Sequence, residues 1–237
     1  MKTLIFPDLH EPPQSVLDQI ETIIAHEGVD RIVFLGDYFD RFNDTPQDAT
    51  RTATWLEKSL TDPRRTHLIG NHDASYLWPV ESTFCSGFTW EKEAAIRENL
   101  GANAKDKFVF HAWIDDWLLT HAGLSNDWVK VPTDLLPKWL EAEGEAARRA
   151  FDQGKYHWFV EIGRRRGGTH PAGGLLWCDH EELAPVSNIR QIYGHTPAPV
   201  PRGVGSNHLC LDTNVGRGPR YFALIEDGIV TVRKLNG

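Results

Sequence analysis

The 237-residue sequence predicts an α/β fold with two packed sheets and helices outside them. Three observations carry this expectation. Short apolar runs alternate with helical patterns through the first half, which reads as a largely parallel sheet. Strand-like runs then cluster near the carboxyl end. Five of the apolar runs close on a short block holding Asp, His or Asn, and strand ends of open α/β sheets are where sites assemble.

Taken in order, residues 2–7 read as a buried strand, and 14–27 as a helix with Val16, Ile20, Ile23 and Ile24 on one face. A strand at 30–35 runs into Gly36–Arg41, a helix follows near 46–60, and a short strand at 66–69 runs into Gly70–Asp73. The tract 74–106 carries Trp78, Phe84, Phe88 and Trp90 and ends in a short helical pattern. Residues 107–121 read as a hairpin about a tight Asp115-Asp116 turn. A helix near 133–152 precedes the glycine-rich run GRRRGGTHPAGG at 163–174. Strands are expected at 189–193, 207–211, 221–226 and 228–234, the last two joined by Asp227-Gly228. One domain spans 1–237, with 74–106 and 125–175 as insertions that cover the site.

Composition sets outer bounds. With 41% hydrophobic and 24% charged residues the chain can bury a substantial core. No apolar run approaches the roughly 18 residues of a membrane span, and MKTLIFPDLH is too short and too quickly polar for a signal peptide. Three scattered cysteines, Cys85, Cys178 and Cys210, argue against a disulfide framework and for a cytoplasmic setting, and all three read as inert. A net charge of −8 offers no footprint for stable nucleic-acid binding. An anionic substrate stays open, because two divalent ions would outweigh the charge of Asp8 and Asp37 locally.

Six side chains have metal-ligating chemistry: Asp8, His10, Asp37, Asn71, His121 and His195. Asp8 and His10 are two apart, so in extended chain they point the same way and can grip one ion. Gly36 allows a sharp turn off its strand, and the Asp37 carboxylate has two oxygens with which to span two ions. Asn71 offers a neutral oxygen. His72 is then placed to act on substrate, with Asp40 as the partner that fixes its tautomer, and Arg41 lies just beyond. Each histidine alone is more often an ordinary core or surface residue. Jointly, the blocks point to metal-assisted phosphate hydrolysis.

With its GDYFDR, GNHD, HAGL, LLWCD and GHTP segments, the sequence resembles the calcineurin-like metallophosphoesterase superfamily between Asp8 and Asp212. The nearest branch is that of phosphoprotein phosphatases and symmetrical dinucleoside tetraphosphatases. The resemblance implies a four-layer α/β/β/α sandwich of two mixed sheets flanked by helices. It implies a first metal held by Asp8, His10 and Asp37, and a second held by Asp37, Asn71, His121 and His195. The expected reaction is direct attack by a hydroxide bridging the two ions, with Arg41 binding a phosphoryl oxygen and His72 protonating the leaving group. The mixed nitrogen and oxygen donors favour manganese, with iron or zinc as alternatives.

The chain departs from that pattern at Glu11 and Phe42, where glycine is usual, at Asp73, where glutamate is common, and at Ile69, where a phosphate-gripping arginine usually stands. Arg164, Arg165 and Arg166 are candidates to replace that arginine; the alternative is a solvated basic patch at a helix end. His170 is a further candidate substrate contact, and Asp212 is either a site carboxylate or a turn cap. The expected partner is a phosphorylated substrate, either a phosphoprotein or a nucleotide-like small molecule. A phosphate monoesterase is the first reading. A dinucleoside polyphosphate or cyclic-nucleotide hydrolase that stacks a base on the 74–90 tract is the second, and a non-catalytic scaffold of the same fold the third.

Overall fold

The computed structural model describes residues 1–101, 103–214 and 218–235. Its first half runs β1 (Lys2–Phe6), α1 (Gln14–Glu27), β2 (Arg31–Phe34), α2 (Pro46–Ser59), β3 (Arg65–Leu68), α3 (Asn71–Leu77), α4 (Trp90–Asn99) and β4 (Phe108–Val109). The second runs β5 (His111–Ile114), β6 (Trp117–Thr120), α5 (Leu136–Asp152), β7 (Arg190–Tyr193), β8 (His208–Cys210), β9 (Tyr221–Glu226) and β10 (Ile229–Lys234). Two mixed sheets flanked by helices result, as the sequence predicts. One has the order β10-β9-β1-β2-β3-β4 and the other β5-β6-β7-β8.

Alternation of side chains along the strands makes the layers. In β1, Ile5 faces the core between the sheets while Leu4 and Phe6 face the helical side. In β2, Val33 points inward and Ile32 and Phe34 point out. The second sheet answers with Trp117, Leu119, Ile192 and Leu209 in the shared core. Each such fully buried side chain contributes roughly 1.5–3 kcal/mol.

The helices are delimited by local chemistry. Gly28, at φ 58°, ends α1 in a left-handed cap. Thr45 and Asp48 form a reciprocal capping box at the start of α2, with Pro46 in the first turn. The buried face of α1 is Leu17, Ile20 and Ile24, so Leu17 takes the place expected for Val16 and Ile23, which are partly buried.

Three expectations need correction. Residues 71–77 form a helix where the sequence marks only the Gly70–Asp73 block and a tract from 74 onward; Asp73 accepts from the Gly70 N–H at 2.8 Å and caps it. The hairpin is shorter than 107–121. Phe108 and Val109 pair in parallel with His67 and Leu68 of the first sheet, and only β5 and β6 pair antiparallel. Phe110 is where the chain crosses between sheets. Both arms of that stretch are apolar, so the pattern could not show which sheet each belongs to. Finally, Arg164–Arg166 form a single exposed 3-10 turn rather than the end of a helix. No helix among the described residues is long and apolar enough to cross a membrane.

Candidate metal centre

All six predicted ligands lie just past the carboxyl ends of parallel strands. Asp8 and His10 follow β1, Asp37 follows β2, Asn71 opens α3 after β3, His121 follows β6 and His195 follows β7. The loops are stitched to one another. His10 N–H donates to the Asp37 carbonyl at 2.8 Å, and Glu11 N–H to that of Tyr38 at 2.7 Å. Asp73 accepts from the backbone N–H groups of Asp37 (2.7 Å) and Tyr38 (2.8 Å) as well as Gly70. His195 N–H donates to the Asp8 carboxylate at 3.0 Å, which joins the second sheet to the first. At Gly36, φ is 99°, and an added Cβ would collide with the Gly70 backbone, so glycine is needed where these two turns cross.

Several ligands pass through left-handed backbone, namely His10 (φ 48°), Asp37 (50°) and His195 (69°), with Glu11 (48°) and Asp40 (65°) beside them. Non-glycine residues rarely do so, and clusters of such residues mark functional loops.

The tautomers can be deduced from the carbonyls. His121 Nδ1 is 2.9 Å from the Leu35 carbonyl, which can only accept, so Nδ1 carries a proton and Nε2 is the lone pair that the neutral ring offers a cation. That lone pair faces Asn71 Oδ1 at 3.0 Å, His195 Nδ1 at 3.2 Å and Asp37 Oδ2 at 3.4 Å. His10 repeats the pattern. Its Nδ1 lies against the carbonyls of Phe39 (3.0 Å) and Asp40 (2.8 Å), which turns Nε2 toward Asp37 Oδ2 at 3.6 Å. His195 Nε2 is buried with no hydrogen-bond partner. Around His121, acceptors facing acceptors at 0–7% exposure are costly unless a cation sits among them. This donor set fits metal ions. Asp37 belongs to both the His10–Asp37–His72 and the Asp37–His121–His195 groupings, the position needed to span two ions.

Electrostatics agree. Burial, reinforced by Asp37, lifts Asp8 to about 7. Burial also acts on Asp37, yet the histidines at 121, 72 and 10 outweigh it and hold that carboxyl far below its ordinary range. For His121, burial opposes charge, but Asp37 prevails and lifts the ring to about 9, so without a cation Nε2 is protonated against Asp37 and an entering ion must displace that proton. Asp212 is pushed up by burial and by Asp8, and its Oδ1 also accepts from Asn214 N–H, so it is both a neighbour of the site and a turn cap.

His72 stands apart from the ligands in its hydrogen bonding. Its Nδ1 lies 2.8 Å from Asp40 Oδ2, and the His72 backbone N–H donates to Asp37 Oδ1 at 3.0 Å. Sequence reasoning missed what stands behind this pair. Asp40 Oδ1 accepts from Tyr76 Oη at 2.5 Å and from Lys92 Nζ at 2.6 Å, and Lys92 also reaches Asp44 at 2.9 Å. Lys92 is 3% exposed, a rare place for lysine, and nothing in the weakly patterned α4 sequence marks it. Cys85, expected to be inert, is half-buried with Sγ 3.4 Å from His72 Nδ1.

The predicted substrate contacts divide. Arg41 lines a cavity of about 140 Å³ with His10, Asp40, Phe42 and Asn214, and its guanidinium stands 3.6 Å from Asp48. Arg166 reaches the centre, donating to the His195 carbonyl at 3.2 Å and to Asp179 at 3.1 Å. Arg164 donates to the Thr169 carbonyl and Arg165 pairs with Glu181. His170 stacks on Trp128 with ring centroids 4.1 Å apart. None of these three makes a hydrogen bond or ion pair to a ligand residue among the described residues. Glu11 is fully buried at its left-handed position, and burial, with Asp44 adding, pushes its carboxyl up to about 9.

The sequence profile of the calcineurin-like phosphoesterases matches residues 1–209. The chain belongs to that family. It is accordingly a metal-dependent phosphoesterase, a hydrolase acting on phosphoric ester bonds. A cold-active protein-tyrosine phosphatase from a psychrophilic Shewanella species superposes with a TM-score of 0.64 at 17% identity, over 99% of this chain and 80% of that one. A candidate diadenosine tetraphosphatase gives 0.54 at 15%, over 98% and 93%. A protein serine/threonine phosphatase from Saccharomyces cerevisiae gives 0.54 at 12%, over 99% and 80%. At such identities these likenesses speak for the fold alone. No curated protein matches the sequence significantly.

Proposed function

We propose that this protein hydrolyses phosphate monoesters at a two-metal centre held by Asp8, His10, Asp37, Asn71, His121 and His195. The carrying observation is the convergence of the His10 and His121 lone pairs on the single carboxylate of Asp37. Two divalent ions, manganese by preference and iron or zinc otherwise, would acidify the attacking water and neutralise the phosphoryl oxygens, so that displacement is direct and forms no phosphoenzyme.

The chain's own residues do the rest. Asp40 fixes Nδ1–H of His72 and leaves Nε2–H to protonate the departing alkoxide. Lys92 and Tyr76 hold Asp40 in place and keep it ionised. Arg41, which lines the cavity beside His10, and Arg166, which reaches the His195 carbonyl, are assigned to phosphoryl oxygens. Arg164, Arg165 and His170 remain weaker candidates, as outer contacts of a larger substrate. The tracts 74–106 and 125–175 are assigned as covers of the site, since Cys85 and Lys92 come from one and Arg166 from the other. Free cysteines fit the cytoplasmic setting proposed here.

A second reading is favoured by one observation. Phe42, Phe84 and Trp90 are exposed to 89%, 40% and 60%, and Phe42 lines the cavity beside Arg41. Such rings could stack a base of a dinucleoside polyphosphate or cyclic nucleotide. A panel of monoesters, diesters and dinucleoside polyphosphates with added manganese tests both. Preference for monoesters upholds the first reading, and preference for either nucleotide class replaces it with the second.

A further inference from the structure

The hydrogen-bonded pair behind the centre has a third member, Cys85, whose Sγ also lies 3.7 Å from the Asn71 carbonyl and 3.2 Å from Ser75 Oγ. Cys85 Sγ lies 3.4 Å from His72 Nδ1, Asp40 Oδ2 lies 2.8 Å from the same nitrogen, and the three ligand atoms all fall within 4.8 Å of one another. A tetrahedral ion with bonds of roughly 2.0 Å to nitrogen and oxygen and roughly 2.3 Å to sulfur sets its ligands roughly 3.3–3.5 Å apart. Small side-chain shifts would therefore satisfy it. Asp40 is suited to such a role because Lys92 and Tyr76 occupy Oδ1, while Oδ2 is held by the His72 Nδ1 proton and is freed for an ion when that proton leaves. Access exists, since Cys85 is half-buried and the His72 side chain is 17% exposed.

We infer that Cys85, His72 and Asp40 form a third, inhibitory site for a thiophilic divalent cation such as zinc or cadmium. Binding sends the Cys85 thiol proton and the His72 Nδ1 proton to solvent, and the thiolate and the Asp40 carboxylate together balance the ion's charge. The ion takes the nitrogen through which Asp40 orients His72. The imidazole is thereby locked in its neutral form, and protonation of the leaving group suffers most. That inhibitory effect rests on the role proposed above for His72; the binding does not.

Sulfur gives the site its own signature. The six ligands of the centre include no cysteine, so a sulfur-to-metal charge-transfer band reports Cys85, Cys178 or Cys210 and not the centre. Burial pushes the Cys178 thiol up strongly and that of Cys210 up to about 12, which sets both against thiolate formation.

The test is a cadmium titration of the manganese-loaded full chain, followed by ultraviolet absorption, beside zinc inhibition measured on a poor-leaving-group monoester. The expected result is one charge-transfer equivalent per chain, absent from Cys85→Ser and Cys85→Ala, with zinc inhibition weakened by about tenfold or more in both variants relative to their own zinc-free rates. Circular dichroism identifies a variant that has failed to fold. An unchanged band and an unchanged inhibition constant in folded variants would overturn the proposal, as would the absence of any band in the parent. A band in a protein with no phosphatase activity would instead uphold this site and remove the proposed function.

Discussion

The loops leaving the six-stranded sheet bring carboxylates, an amide, two imidazoles and a hydrogen-bonded acid pair to the centre, whereas the four-stranded sheet brings His121 and His195. The first group is tied loop to loop, through Asp73 and through the N–H groups of His10 and Glu11. The second is tied more sparsely, by Gly194 N–H to the His121 carbonyl at 2.6 Å and by His195 N–H to Asp8. On the proposed assignment, one sheet supplies groups that both hold and react, and the other supplies groups that only hold. Substitutions on the two sides should therefore fail in different ways.

The largest effect is expected at Asp37, the carboxylate shared by both groupings. Asp37→Asn should cost several kcal/mol in the transition state, roughly 1,000-fold or more in rate, and at least one bound ion. Elemental analysis of the purified variant checks this, and retention of both ions would remove the bridging assignment. Next comes the direct contrast between sheets. His72→Asn should keep its metal and lose roughly 100- to 10,000-fold on poor leaving groups, with a smaller loss on p-nitrophenyl phosphate. His195→Asn should lose metal and slow both substrates alike. If the two variants behave identically, the distinction between reacting and holding sides collapses.

A third prediction concerns the support behind His72. Lys92→Met would leave Asp40 and Asp44 buried without their cation, and loss of one partner of a buried pair costs about 3–5 kcal/mol. Denaturant unfolding measures that cost. The smallest effect is assigned to the rim. Arg166→Ala should raise KM by roughly 10- to 100-fold, as loss of a charge-assisted phosphate contact of about 1.5–3 kcal/mol would. Arg165→Ala, already paired with Glu181 at the surface, should stay within about 0.5 kcal/mol of the parent. Equal effects at the two arginines would put Arg166 outside the phosphate site.

The six proposed ligands could be picked out of the sequence because each sits in a compact block beside glycine or another small residue at the end of an apolar run, a combination that survives without any knowledge of pairing. The boundaries of α1 and α2 also followed from the sequence pattern, and the structure shows local caps at those ends, Gly28 after α1 and Thr45-Pro46 before α2. What stayed hidden depends on distant chain. Lys92 meets Asp40 across 52 positions, Phe108 and Val109 join a sheet other than that of the strand that follows them, and Cys85 reaches His72 only because α3 folds the intervening chain back. Arg166 was legible only as one of three equivalent arginines. The turn that aims it at His195 and sends Arg165 to Glu181 is a tertiary fact.

The left-handed backbone at His10, Asp37, Asp40 and His195 bears on how this centre can be dissected. Every residue with a Cβ bears a cost of about 1–2 kcal/mol at such a position, because the Cβ crowds the following carbonyl, and alanine lacks the short polar side chain that helps Asp, Asn and His to tolerate it. An alanine scan would thus blend lost chemistry with a misplaced main chain and overstate every one of these side chains. Asparagine, which visits that region readily, keeps the turn while removing the charge or the imidazole. Glycine relieves the strain outright. A paired series of asparagine and glycine variants would separate what each residue does from the shape its backbone is made to hold.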